Sequence, residues 1–161
     1  MNVLILNCRA VGVELAKNIA LTCPNRISIV DDTIVTSKDL QYNILIDESM
    51  IGMHRSEALA RSLKSLLKNR SPSSEHVDLP EVELVNQTES PNKQQHSQTL
   101  NTEVHSLPFS SLTENTIKQY DLFICTDIFD KRRLEDFNLF CRRNRVNFIH
   151  VVCLGTFCYL F

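Results

Sequence analysis

After Asn2 the chain runs Val3-Leu4-Ile5-Leu6 with no polar interruption. A short apolar run without alternation predicts a strand buried on both faces, as parallel sheets require. Beyond a turn, residues 12–23 (GVELAKNIALTC) place Val13, Leu15, Ala16, Ile19 and Ala20 on one face of a helix. Pro24 and Asn25 end it. Arg26 to Val30 (RISIV) predicts a second strand, followed by Asp31 and Asp32. Strand, helix and strand within roughly 30 residues form a βαβ unit. The predicted fold is therefore α/β: a doubly wound, Rossmann-like, mostly parallel sheet with helices on both faces.

Residues 51–69 predict a second helix, because Leu59, Leu63, Leu66 and Leu67 recur at helical spacing. Arg61, Lys64, Lys68 and Arg70 are read as its solvated flank. Residues 71–101 lack aromatics and are rich in Ser, Asn, Gln, Pro and acids, which predicts a disordered polar insertion. Such an insertion is expected to be dispensable for folding, since loop closure entropy grows slowly with length. Within it, Val82-Glu83-Leu84-Val85 beside Asp78 and Glu81 resembles a SUMO-interaction motif, although so short a match is common by chance. Order is predicted to resume with a strand at 102–105, a helical turn at 112–119 and a strand at 120–125 (YDLFIC). A helix at 131–144 turns Leu134, Phe137, Phe140 and Cys141 inward, and residues 146–150 and 151–161 are strand-rich. The apolar end at Tyr159-Leu160-Phe161 and the abrupt start predict a partial domain that depends on a partner for stability.

Composition narrows the function classes. The 161 residues suit a single domain, and a net charge of −2 implies no polyanion-binding field. No apolar run approaches the ~20 residues of a membrane helix, and the start lacks a signal-peptide pattern, so no membrane partner is expected and the chain reads as intracellular. The six cysteines form no CxxC pair, which argues against a zinc ribbon or other metal site. Cys8, Cys125, Cys153 and Cys158 lie in or beside apolar runs and are expected to be buried, reduced thiols. Lys131, Arg132, Arg133, Arg142, Arg143 and Arg145 flank one helix; a solvated face, not a nucleic-acid track, is the expected reading.

The ordered series VGVELAKNIAL, IVDDTIVTSKDLQYNILI, IGMHRSEALARSLKSL, QYDLFICTD and GTFCYLF resembles the adenylation (ThiF-like) domains of ubiquitin-like-modifier activating enzymes. The subgroup most resembled is the smaller, regulatory subunit of the SUMO-activating heterodimer. The small subunit of the neddylation-activating enzyme and the inactive half of the ubiquitin-activating enzyme follow. The resemblance covers about 1–70 and 102–161, with the insertion between. It implies a heterodimer with a catalytic subunit that binds ATP and Mg, adenylates the modifier C-terminus and forms its thioester. It also implies the modifier, SUMO, as a partner, and a location in nucleus and cytoplasm.

ATP-binding members of that family carry GxGGxG between the first strand and helix, so that backbone amides approach the phosphates. The matching residues here are Asn7, Cys8, Arg9, Ala10, Val11 and Gly12. Only the last glycine remains, and Arg9 is expected to fill the relic cleft. The Asn-Arg-Gln stretch of active members is matched by Gln41, Tyr42 and Asn43, without the arginine, and Arg55 stands at a lysine position. Gly12, Asp31 and Asp127 are the relic nucleotide-site positions. No catalytic residue, no bound cofactor and no metal are expected in this chain. Two other classes stay open: a Rossmann-type nucleotide-binding enzyme, and an interaction module without an activating role.

Overall fold

The computed structural model describes residues 1–69 and 102–161. The predicted insertion at 71–101 and its Val82–Val85 motif lie outside the described residues. Ten elements follow one another: β1 (Asn2–Leu6), α1 (Ala10–Ala20), β2 (Arg26–Val30), α2 (Arg55–Lys68), β3 (Glu103–Leu107), α3 (Glu114–Ile117), β4 (Leu122–Cys125), α4 (Lys131–Arg143), β5 (Asn147–Leu154) and β6 (Phe157–Leu160). Their strands form one sheet in the order β3-β2-β1-β4-β5-β6. All neighbours are parallel except β5 and β6, which pair antiparallel. The strand order reverses beside β1, between β2 and β4, which is where ligands bind in open α/β sheets.

The strands alternate between two cores. Val3, Ile5, Ile27, Ile29, Val104 and Ile124 face α1 and α2 through Val13, Ala16, Ala20, Leu59 and Leu63. Leu4, Leu6, Val30, Phe123 and Cys125 face α3 and α4 through Ile117, Cys141 and, at its margin, Phe137. Both faces are thus covered, which is why the central strands β1 and β4 are almost wholly apolar. In the second core, Phe123 meets Phe137 edge to face with ring centroids 5.3 Å apart.

The element boundaries differ from the sequence reading for local reasons. α1 begins at Ala10, two residues before Gly12, and its C-cap is Leu21. The Thr22 hydroxyl donates to the Ile19 carbonyl, and Cys23 takes φ 53 ahead of Pro24, so the helix stops there. α2 begins only at Arg55, because the chain turns at Gly52 (φ 91) and His54 bridges to Ile34 before it. The helical turn expected at 112–119 shrinks to α3, capped by Thr113, after a 3-10 turn at Phe109–Ser111. The strand-rich end resolves into a hairpin, turned at Gly155 (φ 61) and Thr156.

Candidate functional site

A cleft of about 430 Å³ opens at the switch point, lined by residues from the ends of β1 and β2 and the loops after them, with Phe109 and Asp127. Arg9 lines this space and does not fill it, which corrects the expectation of a filled cleft. The reason is the course of the chain: Arg9 is an exposed residue at the N-cap of α1, so its long side chain reaches outward.

The turn between β1 and α1 keeps its shape without its glycines. Asn7 occupies the left-handed region at φ 70, a conformation that Asn tolerates better than most residues. Its side-chain oxygen accepts from the Arg9 amide at 3.1 Å. The Cys8 amide donates to Asp31 Oδ2 at 2.9 Å. Two of the amides at the β1–α1 turn are therefore occupied by the chain's own side chains. Gly12 is needed for packing. A Cβ there would sit 2.2 Å from the Asn7 carbonyl oxygen and 3.0 Å from Thr126 Oγ1. Thr126 in turn donates to that same carbonyl at 2.7 Å, pinning β1 to the end of β4.

Asp31 is buried at 6% exposure. Its Oδ1 accepts from the Thr33 amide at 2.9 Å, and its Oδ2 takes Arg55 Nη1 at 3.0 Å besides the Cys8 amide. Arg55 also holds Asp39 through Nε and Nη2, at 3.0 and 2.9 Å. The Asp31–Arg55–Asp39 triad is a buried charge cluster beside the cleft, and Arg55 and Asp39 also border an adjoining hollow with Arg9 and Tyr42. Asp39 was not singled out by sequence reasoning. Its signal was present: Thr36 and Asp39 have the spacing of a capping box, and the Thr36 amide and hydroxyl both donate to Asp39 Oδ2, at 2.8 and 2.9 Å. The Tyr42 hydroxyl donates to Asp39 Oδ1 at 2.6 Å. The residue at the family's arginine position thus braces the loop.

Burial by itself pushes the Asp39 carboxyl up, but the bonds from Tyr42 and Thr36 and the attraction of Arg55 hold it at about 2. A carboxyl held below its unfolded value of about 3.9 stabilises the fold fully above that value. That stabilisation is lost as the pH falls towards 2. Melting temperatures recorded between about pH 5 and about pH 2 are expected to drop through this window more steeply than in Asp39→Asn. Parallel acid profiles for the two proteins would contradict the assignment.

Asp127 stands at the cleft as the sequence predicts, half-buried, with Oδ1 accepting from the Ile128 amide at 2.9 Å. It belongs to a second hollow as well, which runs along the N-terminal end of α1 to Val152 and Cys153. Across the cleft, both Asp32 oxygens accept from the Phe109 amide at 2.9 Å. Arg133 lies over the rings of Phe109, Phe129 and Phe137, with its guanidinium 4.7 Å from the Phe129 centroid. Asp31 and Asp127 thus line the cleft, while Gly12 lines the second hollow with Asp127; Gly12 is used in packing and Asp31 in an internal ion pair. Among the described residues no three of His, Cys, Asp or Glu converge as a metal-ion site. Among the described residues no helix is long and apolar enough to cross a membrane.

The polar groups beside the cleft are largely committed to one another. The Cys8 and Arg9 amides already have acceptors, and the Arg55 cation is enclosed between two carboxylates.

Comparison with known proteins places this arrangement. The profile of the ThiF family matches residues 1–161. The Ubiquitin-activating enzyme E1 1 of Candida albicans (strain WO-1) is 38% identical over 65 residues, 40% of this chain and 6% of that protein. Ubiquitin-activating enzyme E1 2 of Arabidopsis thaliana is 37% identical over the same lengths. The aligned segment thus spans about 6% of the length of these curated relatives. Among solved structures, E. coli MccB with succinimide superposes with a TM-score of 0.67 at 15% identity, covering 99% of this chain and 39% of that one. E. coli MccB with ATP gives a TM-score of 0.62 at 16% identity, covering 93% and 36%. At such identities these structures show the fold alone. The chain belongs to the ThiF family and shares its Rossmann-like adenylation-domain fold with the activating enzymes of ubiquitin-like modifiers.

Proposed function

We propose that the chain is a regulatory, non-catalytic subunit of a ubiquitin-like-modifier activating enzyme, and that the modifier is SUMO. Its partner in this reading is the catalytic subunit, which binds ATP and magnesium, adenylates the modifier's C-terminal carboxylate and forms its thioester. This chain binds no cofactor or metal of its own and works in nucleus and cytoplasm.

One observation carries the reading. The amides of Cys8 and Arg9, in the turn that the resemblance matches to the family's phosphate loop, are occupied by Asp31 and Asn7. The family's adenylation architecture is kept while the means of holding a nucleotide in it are spent on internal bonds. The choice of SUMO rests on the loop VTSKDLQYNILI and the strand GTFCYLF, which resemble the SUMO subunit. A second reading, the inactive half of a ubiquitin-activating enzyme, is favoured by the identity of the curated relatives. The small subunit of the neddylation-activating enzyme is the third member of the same class. The partner and modifier recovered from cells separate these three.

Isothermal titration of the chain with ATP and magnesium tests the loss of nucleotide binding. No heat is expected up to millimolar nucleotide. A micromolar affinity would overturn the reading in favour of a nucleotide-binding enzyme. Arg9→Gly combined with Ala10→Gly is also expected to bind nothing, since Asp31 still takes the Cys8 amide and Arg55 stays enclosed.

A further inference from the structure

Three cysteines of the described chain are buried: Cys8, Cys125 and Cys141. Burial pushes all three thiols up, Cys125 to about 12 and Cys141 to about 11. Cys153 and Cys158 differ. Both are exposed, which corrects the expectation that they are buried thiols. β6 leaves even its large side chains in solvent, so a cysteine there has no core to enter.

The hairpin sets the two thiols against one another. His150 and Phe161 exchange both amide–carbonyl bonds, at 2.7 and 2.9 Å, and so form a hydrogen-bonded pair. Antiparallel pairs alternate. Counting along the register, Val151↔Leu160 is non-hydrogen-bonded, Val152↔Tyr159 hydrogen-bonded, and Cys153↔Cys158 non-hydrogen-bonded. In that kind of pair the Cα atoms approach to about 4.5 Å, inside the range of roughly 4.4–6.8 Å that a disulfide spans. The Sγ atoms lie 3.1 Å apart. Closing the bond needs a side-chain rotation and no shift of strand register.

We infer that Cys153 and Cys158 are a redox-sensitive dithiol that low-molecular-weight disulfides convert reversibly to a cross-strand disulfide. The Cys158 thiolate attacks one sulfur of the small disulfide and expels the first small thiolate. The Cys153 thiolate then attacks Cys158 Sγ, expels the second, and closes the Cys153–Cys158 bond. Two protein thiols are oxidised, one small disulfide is reduced to two thiols, and these take up both protons. The order follows from the hydrogen bond, in which Cys153 donates to Cys158 and is held as the thiol. Cys153 also lines the hollow at the start of α1 with Asn7, Arg9 and Gly12. The disulfide would therefore fix the hairpin next to the β1–α1 turn.

The test uses the full chain, reduced, then equilibrated with glutathione disulfide and quenched with an alkylating agent. Thiol counting after unfolding is expected to fall by two from the six of the reduced chain. Peptide mass spectrometry is expected to find Cys153 linked to Cys158 within one chain, with the mass of two hydrogens lost, and dithiothreitol to restore both thiols. Cys23→Ser should leave the linkage intact, and Cys158→Ser should abolish it. Six surviving thiols, glutathione adducts without the internal bond, or links between chains would each overturn the inference.

Discussion

Arg55→Leu is expected to lower the stability of the chain by about 3–5 kcal/mol, the cost of leaving a buried charge without its partner. Arg55 is 4% exposed and is the cation shared by Asp31 and Asp39, which are themselves 6% and 1% exposed. Without it two carboxylates face each other beside the cleft. Each keeps some donors, the Cys8 and Thr33 amides for Asp31 and Thr36 and Tyr42 for Asp39. Those bonds solvate the charges but do not neutralise them. Arg55→Lys keeps the charge but has no planar fork to serve both carboxylates, so an intermediate loss is expected. Urea unfolding measures both. A loss below about 1 kcal/mol for Arg55→Leu would mean that the triad is not the brace described here.

The second large effect is opposite in sign to helix propensity. Gly12 lies inside α1, where replacing Gly by Ala ordinarily stabilises by about 1 kcal/mol. Here the added methyl would stand 2.2 Å from the Asn7 carbonyl oxygen. That oxygen cannot move freely, because Thr126 Oγ1 donates to it and the Asn7 amide donates to the Val30 carbonyl at 2.9 Å. Gly12→Ala is therefore expected to destabilise by about 3 kcal/mol or slightly less, the upper range for overpacking. A neutral or stabilising result in chemical denaturation would show that α1 can move off the sheet. The residue that marks the phosphate loop in sequence thus persists for helix–strand contact.

The doubly wound fold was legible because β1 and β4 are apolar apart from Asn2, β2 is apolar but for Arg26 and Ser28, and α1 and α2 carry helical stripes. The β5–β6 hairpin was legible only as strand content. Gly155 alone marks its turn, and the flanking residues are apolar on both sides, so periodicity could not separate one strand from two. The same lack of patterning hid the exposure of Cys153 and Cys158, since an apolar residue on an edge strand reads like one in the core. Around the β1–α1 turn lie Asp31 and Asp127 at the cleft and Gly12 at the neighbouring hollow, but what each side chain bonds to was not legible. Whether a carboxylate points into a cleft or onto a buried guanidinium depends on a partner 24 residues away, as with Asp31 and Arg55. The Thr36–Asp39 spacing carried a capping-box signal that went unread, and the burial of Arg55 against two carboxylates left no signal in the sequence.

The central claim is that this chain serves an activating enzyme as the partner that does not itself use ATP. Purifying the tagged full chain from cells and identifying what co-purifies tests it most directly. The account predicts the catalytic subunit of a modifier-activating enzyme in about equal amount, and a complex that charges SUMO as a thioester only when ATP is added. A chain that purifies without any such subunit, and that binds ATP or adenylates a carboxylate alone, would contradict it.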